Sequence, residues 1–482
     1  MIASIRRLPL SLWMVLIGSL ALALLVCERA VQAQSTPARG GEPQQPASLA
    51  SHTLYLPLLE HNYSAPQNHP FGIVMAHTVD RASGLDHMQA AGARWVVTVL
   101  DWESIEPAEG QFEWAEFDAR VANAQAAGMQ VYVLFAGDPA WAWLPDRSAT
   151  VPEKRLNTVR ILAERYDCDG VEDAPGNLCI QYWSFYAEPD AHNRFGPVPP
   201  GYKGYWGHRG AEYADMIAGV ADAMHAQNPN AKVLIGGLAF DWFEEQGGPF
   251  VRSFLGDVLA RLNAAHGGAA NYLDAIAFHY YPLQFPTIRA KAEAIRAILR
   301  ASGVDQLPLI VPEIAYWSAT SAYSSEVAQA RRLVQMYVQG LAIGIERLAW
   351  YEVFDRGPGT EEHGLFWGQD LGRPKLAYRA YGTLTHELGG ARYLRPLAQE
   401  GVEGYVFGTP SGTEKAVVWA LSSGRTVRFP YRCLRRVELN GTVVAPINDG
   451  DQAWDHDGQV NGQIALGVAQ DTPIYVEPCP AN

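Results

Sequence analysis

What most constrains this chain is a rhythm of apolar runs. Eight of them, Phe71–Ala76, Trp95–Trp102, Gln130–Phe135, Ile180–Glu188, Lys232–Ala239, Ala275–Tyr281, Leu309–Ala315 and Arg347–Phe354, recur between Phe71 and Gly390. They are nearly continuous rather than alternating, which is the pattern of strands buried on both faces. Helical patterns such as Phe117–Ala127, Ala211–Gln227, Ile288–Ala301 and Ser325–Gly340 fall between them. Eight such strands alternating with helices describe an α/β chain whose parallel sheet closes on itself, a (β/α)8 TIM barrel spanning residues 71–390. An open doubly wound sheet is the alternative. Its nucleotide-binding form needs a Gly-rich turn after the first strand, and Ala76-His77-Thr78-Val79 has none.

Beyond Gly389-Gly390 the runs shorten. Val402–Gly408, Lys415–Ala420, Thr426–Pro430, Arg435–Leu439 and Pro473–Val476 are separated by turn pairs such as Ser423-Gly424 and Asn440-Gly441. Residues 391–482 are therefore expected to form a small all-β, sandwich-like domain. A lead-in over residues 52–70 holds the alternation Leu54-Tyr55-Leu56-Pro57-Leu58, in which Pro57 restricts a strand to a sheet edge. It is a candidate to complete the sandwich.

Ahead of these lie Arg6 and Arg7, an apolar run from Leu8 to Val26 and the small residues around Val31-Gln32-Ala33. Residues 1–33 thus read as a secretory signal peptide, with an uncleaved membrane anchor as its alternative. Residues 34–51, rich in Ser, Pro, Gly and Gln, read as a flexible tether. The expected location is extracellular, by secretion or at the cell surface, and the membrane is a partner only through an uncleaved leader. The formal charge is −14; the leader carries +2, which leaves −16 for the rest. So acidic a chain repels a phosphate backbone, and nucleic acid is not an expected partner.

Without Cys27 of the leader, four cysteines remain, an even number in an exported chain. Pairing by proximity gives Cys168–Cys179 and Cys433–Cys479, a connectivity that sequence alone does not fix. Asp167, Asp169, Glu172 and Asp173 crowd the loop bracketed by the first pair. Their spacing does not match a calcium loop, so a solvated turn is expected and no metal. Asn62-Tyr63-Ser64 and Asn440-Gly441-Thr442 are glycosylation sequons.

In barrels of this kind chemistry sits at the C-terminal ends of the strands. The carboxylates there are Asp101 and Glu103 after strand two, Glu188 after strand four, Glu313 in strand seven, and Glu352 and Asp355 after strand eight. Glu188 ends an apolar run at Pro189, and Glu313 lies among apolar neighbours. Strands four and seven face each other across a barrel mouth, close enough for two carboxyls to share one bound ring. Such a pair splits its titration, one acid protonated while the other ionises. The 14 Trp, 22 Tyr and 16 Phe of this chain suit a site that stacks on sugar faces.

Tyr186-Ala187-Glu188-Pro189 and Val311-Pro312-Glu313-Ile314 resemble the strand-four and strand-seven glutamate motifs of clan A of the retaining glycoside hydrolases, the superfamily of cellulases, mannanases and β-xylosidases. The resemblance extends to Trp102-Glu103-Ser104-Ile105-Glu106-Pro107, Phe112-Glu113-Trp114, Pro139-Ala140-Trp141 and Phe278-His279-Tyr280-Tyr281. It implies that Glu188 is the acid/base and Glu313 the nucleophile in cleaving a β-linked poly- or oligosaccharide, with no cofactor. His279 and Tyr281, on one face by two-residue alternation, would orient Glu313 or the substrate. Trp350 would be the platform under the sugar, and Trp102 and Trp141 further stacking surfaces.

One position departs from the pattern. The family places Asn before the acid/base, where its amide bonds the sugar 2-hydroxyl; this chain has Ala187. Losing that contact should slow the reaction, unless His192 or Asn193 replaces it. The alternative function is a non-catalytic carbohydrate-binding protein on the same barrel.

Overall fold

In a computed structural model, which describes residues 69–145, 149–192, 206–319, 325–357 and 362–480, all eight apolar runs of the barrel form strands. They are β1 (Phe71–Val74), β2 (Trp95–Asp101), β3 (Gln130–Ala136), β4 (Tyr182–Phe185), β5 (Lys232–Ile235), β6 (Ile276–Tyr280), β7 (Leu309–Ile314) and β8 (Ile345–Trp350). β-Branched and aromatic side chains fill both faces, so packing on each side favours the extended chain. The strands pair in parallel in the order β5-β4-β3-β2-β1-β8-β7-β6. Bridges from Leu234 to Ala275 and from Leu238 to Phe278 join β5 to β6, which closes the barrel. Its interior holds Val74, Trp95, Val97, Tyr132, Leu234, Ala277 and Ile310.

Helices cover the outside and return the chain to the next strand. Helix Ile288–Ala301 is capped by Thr287, whose side chain accepts from the Ala290 amide, and Ser325 caps Glu326–Ala342 in the same way. Leu376–Leu388 is the last barrel helix.

One strand is shorter than its sequence suggests. The apolar run Ile180–Glu188 yields strand only over Tyr182–Phe185, because Tyr186 and Glu188 take left-handed backbone angles, with φ of 64° and 46°. Such angles cost non-glycine residues about 1–3 kcal/mol each and persist only where the surroundings hold them.

The C-terminal region is all β. A six-stranded antiparallel sheet runs β14-β13-β16-β11-β10-β9, and a ribbon pairs β12 with β15. In chain order these are β9 (Arg392–Pro396), β10 (Val402–Gly408), β11 (Glu414–Ala420), β12 (Arg425–Phe429), β13 (Cys433–Val437), β14 (Val443–Asn448), β15 (Ile464–Val468) and β16 (Ile474–Pro478). Val406, Val418, Val427, Phe429, Leu434, Ile464 and Val476 share one core, so ribbon and sheet pack face to face. Both disulfides, Cys168–Cys179 and Cys433–Cys479, are formed.

The leader, the tether and the alternation around Pro57 lie outside the described residues. Among the described residues no helix is long and apolar enough to cross a membrane.

Candidate active site

The site is built where four strand ends meet. After β4 the Tyr186 amide donates to the Phe135 carbonyl and the Glu188 amide to the Gly237 carbonyl, both at 2.9 Å, tying the turn to β3 on one side and to the end of β5 on the other. That approach demands glycine. A Cβ on Gly236 would lie 1.7 Å from the Tyr186 carbonyl oxygen, and one on Gly237 would lie 2.1 Å from His279 Nε2. Asp190 completes the junction by accepting from the amides of Ala239 and Phe240 at 3.0 and 2.7 Å. Burial, helped by the nearby Glu188 carboxylate, pushes the Asp190 carboxyl up to about 7, against the pull of those amides. On the β3 side the Tyr186 hydroxyl donates to Asp138 at 2.7 Å, and Arg155 holds the same carboxylate at 3.1 Å.

β6 and β7 bring in the second acid. His279 and Glu313 are direct partners in their register. His279 Nδ1 lies 3.1 Å from Glu188 Oε1 and 3.5 Å from Glu313 Oε2, and the Tyr281 hydroxyl donates to Glu313 Oε2 at 3.0 Å. Those two carboxylate oxygens are thus at most 6.6 Å apart, the sum of 3.1 and 3.5 Å. Burial raises the Glu313 carboxyl above the ordinary range, while His279, Tyr281 and Arg356 pull it back. Burial also opposes charge on His279, but the carboxylates of Glu313 and Glu188 outweigh it and hold the imidazole above its usual pKa.

Four of the seven residues singled out from sequence converge here: Glu188, Glu313, His279 and Tyr281. Of the three tryptophans, Trp350 and Trp102 do not, and the stacking surfaces expected of those two need correcting. Trp350 is fully buried, its indole N–H donating to the His363 carbonyl at 3.0 Å, so it offers a sugar no face. Trp102 is likewise fully buried, with its N–H on Glu106 at 2.7 Å. Trp141 is half-buried, donates to the Glu106 carbonyl at 2.8 Å and carries Lys154 over its ring. Their common anchor is Glu106, a buried carboxylate that also accepts from Thr158 at 2.6 Å and from the Gly110 amide at 2.8 Å. The tryptophan motif after β2 therefore builds the wall behind the mouth. Nothing in the spacing of those residues distinguishes a ring packed inward from one facing a ligand.

The aromatic ring that does adjoin the acids is Tyr351. It meets the Tyr281 ring at 6.3 Å and His363 at 6.0 Å. Burial, with Lys375 and Arg356 nearby, lowers His363 to about 3, so it stays a neutral ring. Of the groups proposed to replace the missing asparagine beside Ala187, His192 turns Nε2 toward the Gly248 carbonyl at 3.4 Å, and Asn193 lies outside the described residues. Oxygens of Asp167, Asp169 and Asp173 gather within 4.8 Å. The Cys168 and Gly170 amides donate to Asp173, and the Val171 amide donates to Asp169.

Solved structures share this fold. A family 39 glycoside hydrolase from the gut symbiont Bacteroides cellulosilyticus WH2 superposes with a TM-score of 0.62 at 18% identity, over 85% of this chain and 80% of that one. A GH39 β-xylosidase from Caulobacter crescentus matches over 86% of this chain and 98% of that one, at 14% identity and a TM-score of 0.58. A GH30 endoxylanase from Clostridium papyrosolvens C71 gives 0.57 at 12% identity, covering 85% and 95%. At these identities the likeness is one of fold, a (β/α)8 barrel. In sequence, the model of the Glyco_hydro_42 family, described as beta-galactosidase, matches residues 78–159, a stretch that includes the Glu106 anchor but neither Glu188 nor Glu313. No curated protein matches the chain.

Proposed function

We propose that this chain is an exported, retaining β-glycoside hydrolase that cleaves O-glycosidic bonds of a poly- or oligosaccharide by double displacement. The observation that carries the reading is the meeting of Glu188 and Glu313 at one imidazole nitrogen. Glu188 gives its proton to the departing glycosidic oxygen while Glu313 attacks the anomeric carbon and forms a glycosyl ester. Water, deprotonated by Glu188, then cleaves that ester and frees Glu313. His279, within reach of both carboxyls, keeps one proton available to the pair as charge moves between them. The Tyr281 hydroxyl holds the attacking oxygen of Glu313 in place. Two carboxyls suffice for this chemistry, so no cofactor is invoked. Export is supported by the leader-like first 33 residues and the two disulfides.

The test is an assay of the chain from residue 34 onward on aryl β-glycosides, beside Glu313→Gln. A 2-deoxy-2-fluoro glycoside should also label Glu313. Turnover that survives in Glu313→Gln, or a label on another residue, would sink the proposal. Ala187 favours a second reading, a sugar-binding barrel without turnover; it is upheld if neither protein acts on any glycoside while sugar still binds.

A further inference from the structure

We infer that Tyr186, through Asp138 and Arg155, is a positioning residue for the carboxyl of Glu188. The inference rests on Glu188 being the acid/base of the proposed hydrolysis.

The turn after β4 aims one carboxyl while holding two residues in left-handed angles, with φ of 64° at Tyr186 and 46° at Glu188. A backbone rotation at Tyr186 swings the Glu188 side chain, because one residue lies between them. That residue is Ala187, which has no polar side chain to fasten. Among the described residues the turn has three side-chain ties. Tyr186 is tied to Asp138 at 2.7 Å, Glu188 to His279 at 3.1 Å, and Asp190 to the amides of Ala239 and Phe240. Asp190 fixes the chain beyond the acid, and His279 meets the carboxyl itself. The Tyr186 hydroxyl is the side-chain tie on the segment leading into Glu188.

The far end of that tie is itself held. Asp138 follows β3, and its Oδ2 accepts from Arg155 at 3.1 Å and from Thr150, which leaves Oδ1 to Tyr186. Arg155 is buried and comes from the helix Pro152–Arg165, so the anchor reaches a second element of the barrel. Its guanidinium also lies 5.8 Å from the centre of the Tyr186 ring, which the Trp206 ring meets edge-on at 5.6 Å. Burial, against the pull of Arg155, keeps the Tyr186 hydroxyl well above its ordinary pKa, so it donates at every working pH. The ring packs as a phenylalanine would. What the hydroxyl adds is direction, since a hydrogen bond to a charged group is worth about as much as one left-handed residue costs.

Leaving groups separate a misaimed acid from a weakened fold. A phenyl glycoside needs a proton on its departing oxygen, whereas a dinitrophenolate leaves without one. The experiment measures kcat and KM for the full chain and for Tyr186→Phe on phenyl and dinitrophenyl β-glycosides of xylose, galactose and glucose. A displacement of about 1 Å near a reacting centre costs on the order of 100-fold. In Tyr186→Phe, kcat/KM should therefore fall by about 10- to 100-fold on the phenyl substrate and by less than about threefold on the dinitrophenyl one. On the latter, kcat and KM should fall together, because water still needs Glu188 as base to release the glycosyl ester. The ratio between the two substrates does not depend on how much of the variant is folded. Should Tyr186→Phe not fold, Asp138→Asn takes its place with the same skew expected, since one amide oxygen cannot serve Tyr186 and Arg155 from opposite sides. An unaltered ratio, with activity either kept or lost on both substrates alike, overturns the positioning role and leaves the hydrolase reading standing. No turnover of any glycoside by the parent removes that reading and the inference with it.

Discussion

At the scale of single residues, His279 restrains the titration of Glu313. It is 3% exposed and sits between two carboxylates that hold its pKa above 6.5 despite burial. Replacing it with Asn removes the cation that restrains Glu313, whose carboxyl is already raised by burial. The acidic limb of kcat/KM, along which Glu313 must ionise, should therefore move to higher pH in His279→Asn; an unmoved limb would show that the imidazole is neutral in the free protein. The same shift has a stability sign. His279 contributes stability below its unfolded pKa of about 6.5, and that contribution is lost as pH rises through the raised folded value. Thermal unfolding of parent and variant should thus differ most in mildly acidic buffer. Ala187 makes a second prediction. Ala187→Asn should raise kcat/KM by about 10-fold or more by restoring a 2-hydroxyl contact. An equal or lower rate would mean that another group already occupies that place.

At the scale of elements, the β4–β5 junction is the most demanding part of the barrel. The turn after β4 holds two left-handed residues and the buried Asp190, and it packs against two close glycines after β5. Gly237→Ala should drive a methyl into the His279 ring, costing about 1–3 kcal/mol as overpacking does and displacing the ring from Glu188. Both the melting temperature and kcat should fall; a variant with normal values would show that the ring has room to move. Little of this was legible in the sequence. The eight strands were, since each is a continuous apolar run, and so was the common face of His279 and Tyr281 from their spacing. In the β region three strands were not read from the sequence: the buried β15 of the two-stranded ribbon and the two edges of the six-stranded sheet, β9 and β14. The residues of β9 and β14 are mostly exposed, so no hydrophobic period marks those edges.

At the scale of the whole molecule, the β region is anchored to the barrel by a buried ionic cluster. Glu387, on the last barrel helix, is paired with Lys415 of β11 and with Arg435 of β13, the latter at 2.9 Å, and Glu477 of β16 joins both cations. Burial would raise the Glu387 carboxyl, but Arg435 and Lys415 outweigh it and keep it below its usual range. Glu387→Ala leaves Lys415 and Arg435 with Glu477 alone at a sheltered junction and should cost about 1–3 kcal/mol. Chemical denaturation reads this directly, and a loss under 1 kcal/mol would mean that water reaches the cluster.

By itself the sequence pointed to eight buried strands alternating with helices, an even set of cysteines and the pair of strand-end glutamates. Those features are written in local apolar runs, cysteine number and position along strands. Only tertiary structure decided that the sheet closes, which cysteines pair, that Trp102 and Trp350 are walls rather than platforms, and that Gly237 makes room for His279. Each of these depends on which neighbour, distant in sequence, takes up the space beside a side chain, and spacing along the chain carries no record of that.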